Sequence, residues 1–147
     1  ETPVYDQPFT ARIGGSNVVR EGKDTTIFAI GIEVASALAA AEELSRDHGI
    51  EAAVVDCYSI RPLDTATVRE RAARHDHVFT AEEHNVTGGF ASAIAETLAL
   101  EGIGTRVHRI GMPDEYSILG PPTHLYQYYG LDGPGIAKRV AEVLRAG

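Results

Sequence analysis

Apolar residues along this chain alternate between short continuous runs and longer stretches with a helical period. Residues 25–30 (TTIFAI) are β-branched and apolar, and their near-continuous apolarity predicts a strand covered on both faces. Gly31 closes that run. Over residues 33–48 the spacing switches to three and four, with Val34, Ala37, Leu38, Ala41 and Leu44 (and Ala40 beside them) forming one buried helical face. Gly49 is placed to cap it. The unit then repeats. Residues 51–58 predict a second strand, and Pro62 biases Arg61 away from helical dihedrals in the loop that follows. A helix from Asp64 or Thr65 to about His75 turns Val68 and Ala72 inward, with Arg69, Glu70, Arg71 and Arg74 on a solvated face.

The third run, residues 77–81, is followed at once by Glu82, Glu83 and His84 and then by the pair Gly88 and Gly89. A helix carrying Phe90, Ala91, Ile94 and Leu98 comes next. Residues 105–110 predict another strand, with a loop over 111–122 containing MPDEY. A short helix begins at Thr123 or His124 and runs to Tyr128, and a closing helix spans 135–145 with Ile136, Val140, Val143 and Leu144 inward. Residues 1–22 are interrupted by Pro3, Pro8, Gly14 and Gly15. There Tyr5 and Phe9 read as anchors lying across a surface, and Asn17–Arg20 as a short edge strand. Strands alternating with helices predict a single α/β domain with a largely parallel sheet and right-handed crossovers.

Length and charge narrow the picture. At 147 residues the chain suits one domain of ordinary size. A net charge of -8 with no basic stripe argues against nucleic acid as a partner. No run of apolar residues is long enough for a membrane helix, and no signal peptide opens the chain, so a cytoplasmic setting is expected. Glu1 in place of a methionine is what a processed chain or a fragment would show. The single cysteine, Cys57, excludes an internal disulfide and reads as a buried, inert thiol.

Candidate chemistry concentrates after the third run. Ligands of open α/β sheets sit beyond the carboxyl ends of the strands, where Glu82, Glu83 and His84 are expected to form a loop. Two adjacent carboxylates share a site only if the strand has ended, because neighbours along a strand face opposite ways. One of them is equally suited to cap the amides near Gly88 and Gly89. That glycine pair reads as close helix–sheet packing or, secondarily, as an anion cradle. Tyr126, Tyr128 and Tyr129 are suited equally to an interface and to a core satellite under the MPDEY loop. Arg61 is expected to fix its loop or, secondarily, to face a partner or a phosphate. No metal motif and no dinucleotide or P-loop motif is present, and His84 has no obvious nucleophile beside it. The bottom-up expectation is a domain that works alongside another, with no catalytic, cofactor-binding or metal-binding residue of its own.

Four stretches, REGKDTTIFAIG, VVDCYSIRPLD, TAEEHNVTGGF and RIGMPDEY leading to YYGLDGPGIAKRV, resemble in that order the C-terminal domain of thiamine-diphosphate-dependent transketolases. The superfamily also includes 1-deoxyxylulose-5-phosphate synthases and the beta subunits of 2-oxoacid dehydrogenases. The resemblance covers about residues 18–145 and is closest to the transketolase and deoxyxylulose-phosphate synthase side. It implies a three-layer αβα fold with a five-stranded, mostly parallel sheet and one antiparallel edge, supplied by Asn17–Arg20. It further implies a linker over residues 1–17 and the domain proper over 18–147. Thiamine diphosphate and magnesium would be held by separate pyrophosphate- and pyrimidine-binding domains or a separate subunit, within a homodimer. The parent reaction would be ketol transfer between sugar phosphates, with this chain alone inactive. Glu82, Glu83 and His84 would face the neighbouring domain or the mouth of the substrate channel. Deoxyxylulose-phosphate synthesis, 2-oxoacid decarboxylation and a stand-alone anion- or protein-binding domain are the alternatives.

Overall fold

The computed structural model describes residues 3–146. Five strands form one sheet in the order β1-β3-β2-β4-β5, with β1 Asn17–Arg20, β2 Thr25–Ala29, β3 Ala52–Asp56, β4 His77–Asn85 and β5 Arg106–Met112. The pairs β2–β3, β2–β4 and β4–β5 are parallel, and only β1 runs antiparallel, against β3. All of the central β2 and β3 is buried, as continuous apolar runs require of strands covered on both sides.

The strand period sorts side chains to two cores. On one face Ile27, Ala29, Val54, Phe79 and Ala81 meet helices α1 (Glu33–Glu43) and α5 (Gly133–Ala146). On the other, Phe28, Val55 and Val78 meet α2 (Thr65–Ala72) and α3 (Phe90–Leu100). A shorter helix, α4 (Pro122–Tyr129), carries no buried residue. The predicted α/β layering and antiparallel edge strand are therefore present.

Element ends differ from expectation in instructive places. α1 continues into a π-helical turn, Leu44–His48, before Gly49 ends it at φ 65°. Asp64 is the cap of α2, accepting from the Thr67 N–H at 3.1 Å. Arg71 is not a solvated residue. Its side chain is only 11% exposed, and it grips Glu21 through two hydrogen bonds of 2.6 and 2.9 Å.

The segment before β1 lies along the carboxyl end of β3. The Tyr5 hydroxyl donates to Asp56 at 2.5 Å, and Phe9 sits between the Tyr5 and Tyr58 rings, 4.3 and 5.6 Å away. The Gly14 N–H donates to the Ser59 hydroxyl, and the Ser16 hydroxyl to Asp64. Residues 1, 2 and 147, the outer ends of the expected linker and domain, lie outside the described residues.

Candidate functional site

The largest departure from the sequence reading sits at the carboxyl end of β4. The strand does not stop at Ala81 but runs to Asn85, so Glu82, Glu83 and His84 belong to the strand and not to a loop. A register shift between Ala81 and Asn85 lets β4 rejoin β5 at Met112. Because the strand continues, the two carboxylates point to opposite faces.

Glu82 turns toward α3 and is 1% exposed. Its two carboxylate oxygens accept from the Phe90 and Ala91 backbone N–H groups at 2.6 and 2.9 Å. These are unsatisfied donors of the helix start, where a negative charge is also favoured by the helix dipole. The glycine pair makes the approach possible. Gly88 has φ 76°, and a Cβ on Gly89 would lie 2.2 Å from Glu82 Oε2 and 2.4 Å from the Asn85 carbonyl. Glu82, Gly88 and Gly89 thus form one helix-start assembly.

Glu83 faces the other way, toward α4, and accepts from the Tyr126 hydroxyl at 2.7 Å. That bond, with burial and the Glu83 charge behind it, pushes the Tyr126 phenol up to about 12. Tyr129 serves the loop before α4, its hydroxyl accepting from the Ile118 N–H at 3.1 Å. His84 is exposed, its ring Nδ1 3.1 Å from the Asn85 carbonyl.

A fourth group joins this corner that the pattern of the sequence does not single out. Glu33, in the first turn of α1, is fully buried, and neither carboxylate oxygen has a hydrogen-bond partner. Burial pushes its carboxyl up to about 7, with Glu83 and Asp132 adding to the rise. The nearby Ser36 hydroxyl pulls the other way but makes no well-formed hydrogen bond.

On the α3 side the carboxyl ends of β2 and β4 open into a groove of about 840 Å³. Ile30, Ile60, Leu63, Phe90 and Leu100 form its walls, with Glu82, Glu83, His84, Glu96 and Arg61 among its polar lining. Arg61 is exposed at the rim. Ile60 and Leu100 are 43% and 82% exposed. The sequence candidates therefore converge on one end of the sheet but divide between its faces: Glu82, His84, Gly88, Gly89 and Arg61 line the groove, while Tyr126 and Tyr129 lie across β4, with Glu83 reaching both.

The groove offers no activated nucleophile. The Ser92 hydroxyl accepts from the Gly88 N–H at 3.0 Å, and Cys57 is buried elsewhere, its thiol pushed up chiefly by burial. Among the described residues, no group of three or more His, Cys, Asp or Glu side chains could hold a metal ion, and no helix is long and apolar enough to cross a membrane. Away from this site, the His77 and His108 rings approach at 2.8 Å between nitrogens, a contact created by the pairing of β4 with β5.

Comparison with known proteins places this geometry. The family model for the transketolase C-terminal domain matches residues 14–136. A protein described as a putative transketolase C-terminal section, from Methanocaldococcus jannaschii, is 37% identical over 140 residues, covering 95% of this chain and 43% of its own length. A 1-deoxy-D-xylulose-5-phosphate synthase from Heliobacterium modesticaldum is 41% identical over 137 residues, covering 93% of this chain and 21% of the relative. Among solved structures, a split gene transketolase described as an inactive beta4 tetramer superposes with a TM-score of 0.89 at 38% identity, over 98% of this chain and 46% of that one. Transketolase from Leishmania mexicana shares the fold, with a TM-score of 0.66 at 21% identity over 90% of this chain and 18% of that one. The chain thus spans less than half the length of each of these relatives. With its antiparallel edge strand and a family match running over residues 14–136, this chain belongs to the transketolase C-terminal domain family.

Proposed function

We propose that this chain is the C-terminal section of a thiamine-diphosphate-dependent transketolase and supports ketol transfer between sugar phosphates by packing against its partners. In this reading the domain proper occupies residues 18–147, and residues 1–17 connect it to the preceding pyrimidine-binding domain. Thiamine diphosphate and magnesium are held by the pyrophosphate- and pyrimidine-binding domains. Two copies of the complete assembly form a dimer in the cytoplasm. Glu82, Gly88 and Gly89 keep the end of the sheet in shape, while Glu83, His84, Arg61, Tyr126 and Tyr129 present the surface that meets the neighbour.

One observation carries the reading. Among the described residues, the carboxylate buried in the groove wall is consumed by the start of α3, and around it the exposed apolar Ile60 and Leu100 stand among a polar rim of Arg61, Glu83, His84 and Glu96. That is the composition of a contact surface. The groove also does not fit a diphosphate. The two α3 amides bonded to Glu82 are no longer available to an anion, and Glu83 and Glu96 beside them oppose a negative ligand. The cofactor is accordingly assigned to other domains, and no step of the reaction is assigned to this chain. The related chain described as an inactive tetramer supports inactivity without a companion.

The test is reconstitution. The chain is combined with the cofactor-binding domains from the same organism, and two-carbon transfer between sugar phosphates is followed. Activity is expected only in the mixture; turnover or micromolar thiamine diphosphate binding by this chain alone would defeat the reading. Relatives named as 1-deoxyxylulose-5-phosphate synthases at 41–43% identity favour a second reading, the same section of that synthase. The same mixture forming 1-deoxyxylulose 5-phosphate instead would establish it.

A further inference from the structure

Two histidines meet at the amino end of the β4–β5 seam, far from the groove. In the parallel register His77 stands beside Arg106, and Phe79 beside His108. Strand alternation puts all four on the face where Phe79 and Ile110 join the core under α1 and α5. Both imidazoles are half-buried. Nδ1 of His77 and Nε2 of His108 are 2.8 Å apart, the ring centres 5.1 Å apart, and the planes 21° from parallel. A gap that short between nitrogens and that long between centres sets both nitrogens on the line joining the rings. The imidazoles therefore meet tip to tip, as an N–H···N hydrogen bond requires. Their lone-pair directions oppose each other and do not converge on a third point, so the pair is shaped for a shared hydrogen and not for a metal ion.

The surroundings are cationic. Arg106 shares the face with His108, while Arg109 turns to the other face and donates to the Val86 carbonyl at 3.1 Å. From β2, the uncharged Thr25 hydroxyl donates to the His77 carbonyl at 2.9 Å. The Phe79 ring centre lies 5.1 Å from that of His108. Burial, then His77, Arg139 of α5 and Arg106, holds the His108 imidazole below the ordinary histidine range, and no carboxylate is among the groups that act on it.

We propose that His77 and His108 form an acid-sensitive clasp, which holds the amino end of β5 to β4 while the pair carries at most one added proton and parts when it takes up a second. An N–H···N bond needs one hydrogen and one free lone pair. The neutral pair has both. A singly protonated pair keeps both, and its bond is charge-assisted. A doubly protonated pair has two N–H groups aimed at each other, no acceptor, and two cations beside Arg106. Separation is local, because β5 pairs with β4 alone among the described strands. The other ties at this end include the Arg106 N–H on the Asp76 carbonyl at 2.9 Å and the Thr105 hydroxyl on the Ala72 and His75 carbonyls at 2.8 and 3.0 Å. Clasped and parted seams are two discrete states biased by one proton.

The direction follows from linkage. In acid the parted seam binds a proton on each ring, whereas the clasped seam binds one at most. Closure is thus fully present above the ordinary histidine range, near about 6.5, and is lost as pH falls below it. With one extra proton taken up on parting, the opening constant grows about tenfold per pH unit in that window.

Hydrogen–deuterium exchange of the chain from about pH 8 to pH 5, corrected for intrinsic exchange, tests this. Protection of β5 amides is expected to hold near neutrality and then to fall about tenfold per pH unit in acid, while the β2–β3 pairing shows no such slope. In His108→Gln the side-chain amide accepts from His77 in either charge state, so the acid slope of β5 is expected to vanish. The same slope in both proteins, or none in the wild type, would overturn the clasp. Should the variant not fold, nitrogen-15 NMR of the wild-type imidazoles decides. Two coupled steps, the second in step with loss of β5 protection, support the proposal; two rings titrating independently in the ordinary histidine range refute it.

Discussion

Glu82 and Glu33 are two glutamates at the same end of the sheet, one against the start of α3 and one within the start of α1. Both are buried, at 1% and 0% exposure. Glu82 receives two backbone N–H groups, and Glu33 receives none. Burial is common to both, so what separates them is the supply of donors. The glycine pair before α3 lets the helix start close onto Glu82, whereas Glu33 is itself part of a helix start and neither of its oxygens has a partner. A carboxylate with donors ties a strand to a helix, and one without them becomes a group sensitive to protons.

Glu82→Ala tests the first half of the contrast most severely. It leaves two buried amides unpaired and should lower stability by about 4 kcal/mol in urea unfolding near neutral pH. A loss below about 1 kcal/mol would mean the cap is incidental. Gly89→Ala attacks the same assembly from the other side, placing a methyl group where Glu82 and the Asn85 carbonyl already are. A loss of about 3 kcal/mol is expected, with α3 losing exchange protection before the sheet does.

Glu33→Gln sharpens the second half and carries the opposite sign. The folded-state carboxyl lies above its unfolded value, so the Glu33 contribution to stability is fully present below the ordinary carboxylate range and is lost as pH rises to about 7. The amide does not titrate. The variant should match the wild type near pH 5 and exceed it by about 2 kcal/mol above neutrality, measured by denaturant unfolding at several pH values. An equal pH dependence in the two proteins would remove the distinction between the glutamates. The smallest effect is expected at Tyr126→Phe, which gives up one partly exposed hydrogen bond and about 0.5 kcal/mol. Its companion is spectroscopic. The Tyr126 phenol, held at about 12 largely by Glu83, should return toward the ordinary tyrosine range in Glu83→Gln.

Much of this arrangement was legible along the chain, and what escaped did so for physical reasons. β2, β3 and the faces of α1 and α3 follow from continuous runs and three-and-four spacing, because those patterns report burial directly. The end of β4 was misread. Glu82, Glu83, His84 and Asn85 are polar, and a polar run usually marks a loop; here the run is held in the strand by pairing with β5 and by the amides of α3. A carboxylate in reach of the glycine pair was a visible option, but which of the two adjacent glutamates would take it depended on the strand continuing.

Glu33 gave less warning. A glutamate in the first turn of a helix ordinarily faces water and the helix dipole. Its neighbours Glu83, Tyr126 and Asp132 are distant along the chain and meet it only in the folded state. His77 and His108 are a similar case, since only the parallel register of β4 and β5 sets the rings together. Arg71 was misplaced because the helix period carries no information about Glu21, which reaches it from the turn after β1.

The two margins of the sheet differ in kind. On one side β1 reverses direction and shields β3; on the other, among the described residues, β5 ends the sheet parallel to its neighbour β4. Arg106 and Arg109 are exposed on that last strand, Arg109 also donating to the Val86 carbonyl at 3.1 Å. Repeated positive charge makes the addition of an identical strand from another molecule unfavourable, so these two arginines act as guards against fibrous stacking.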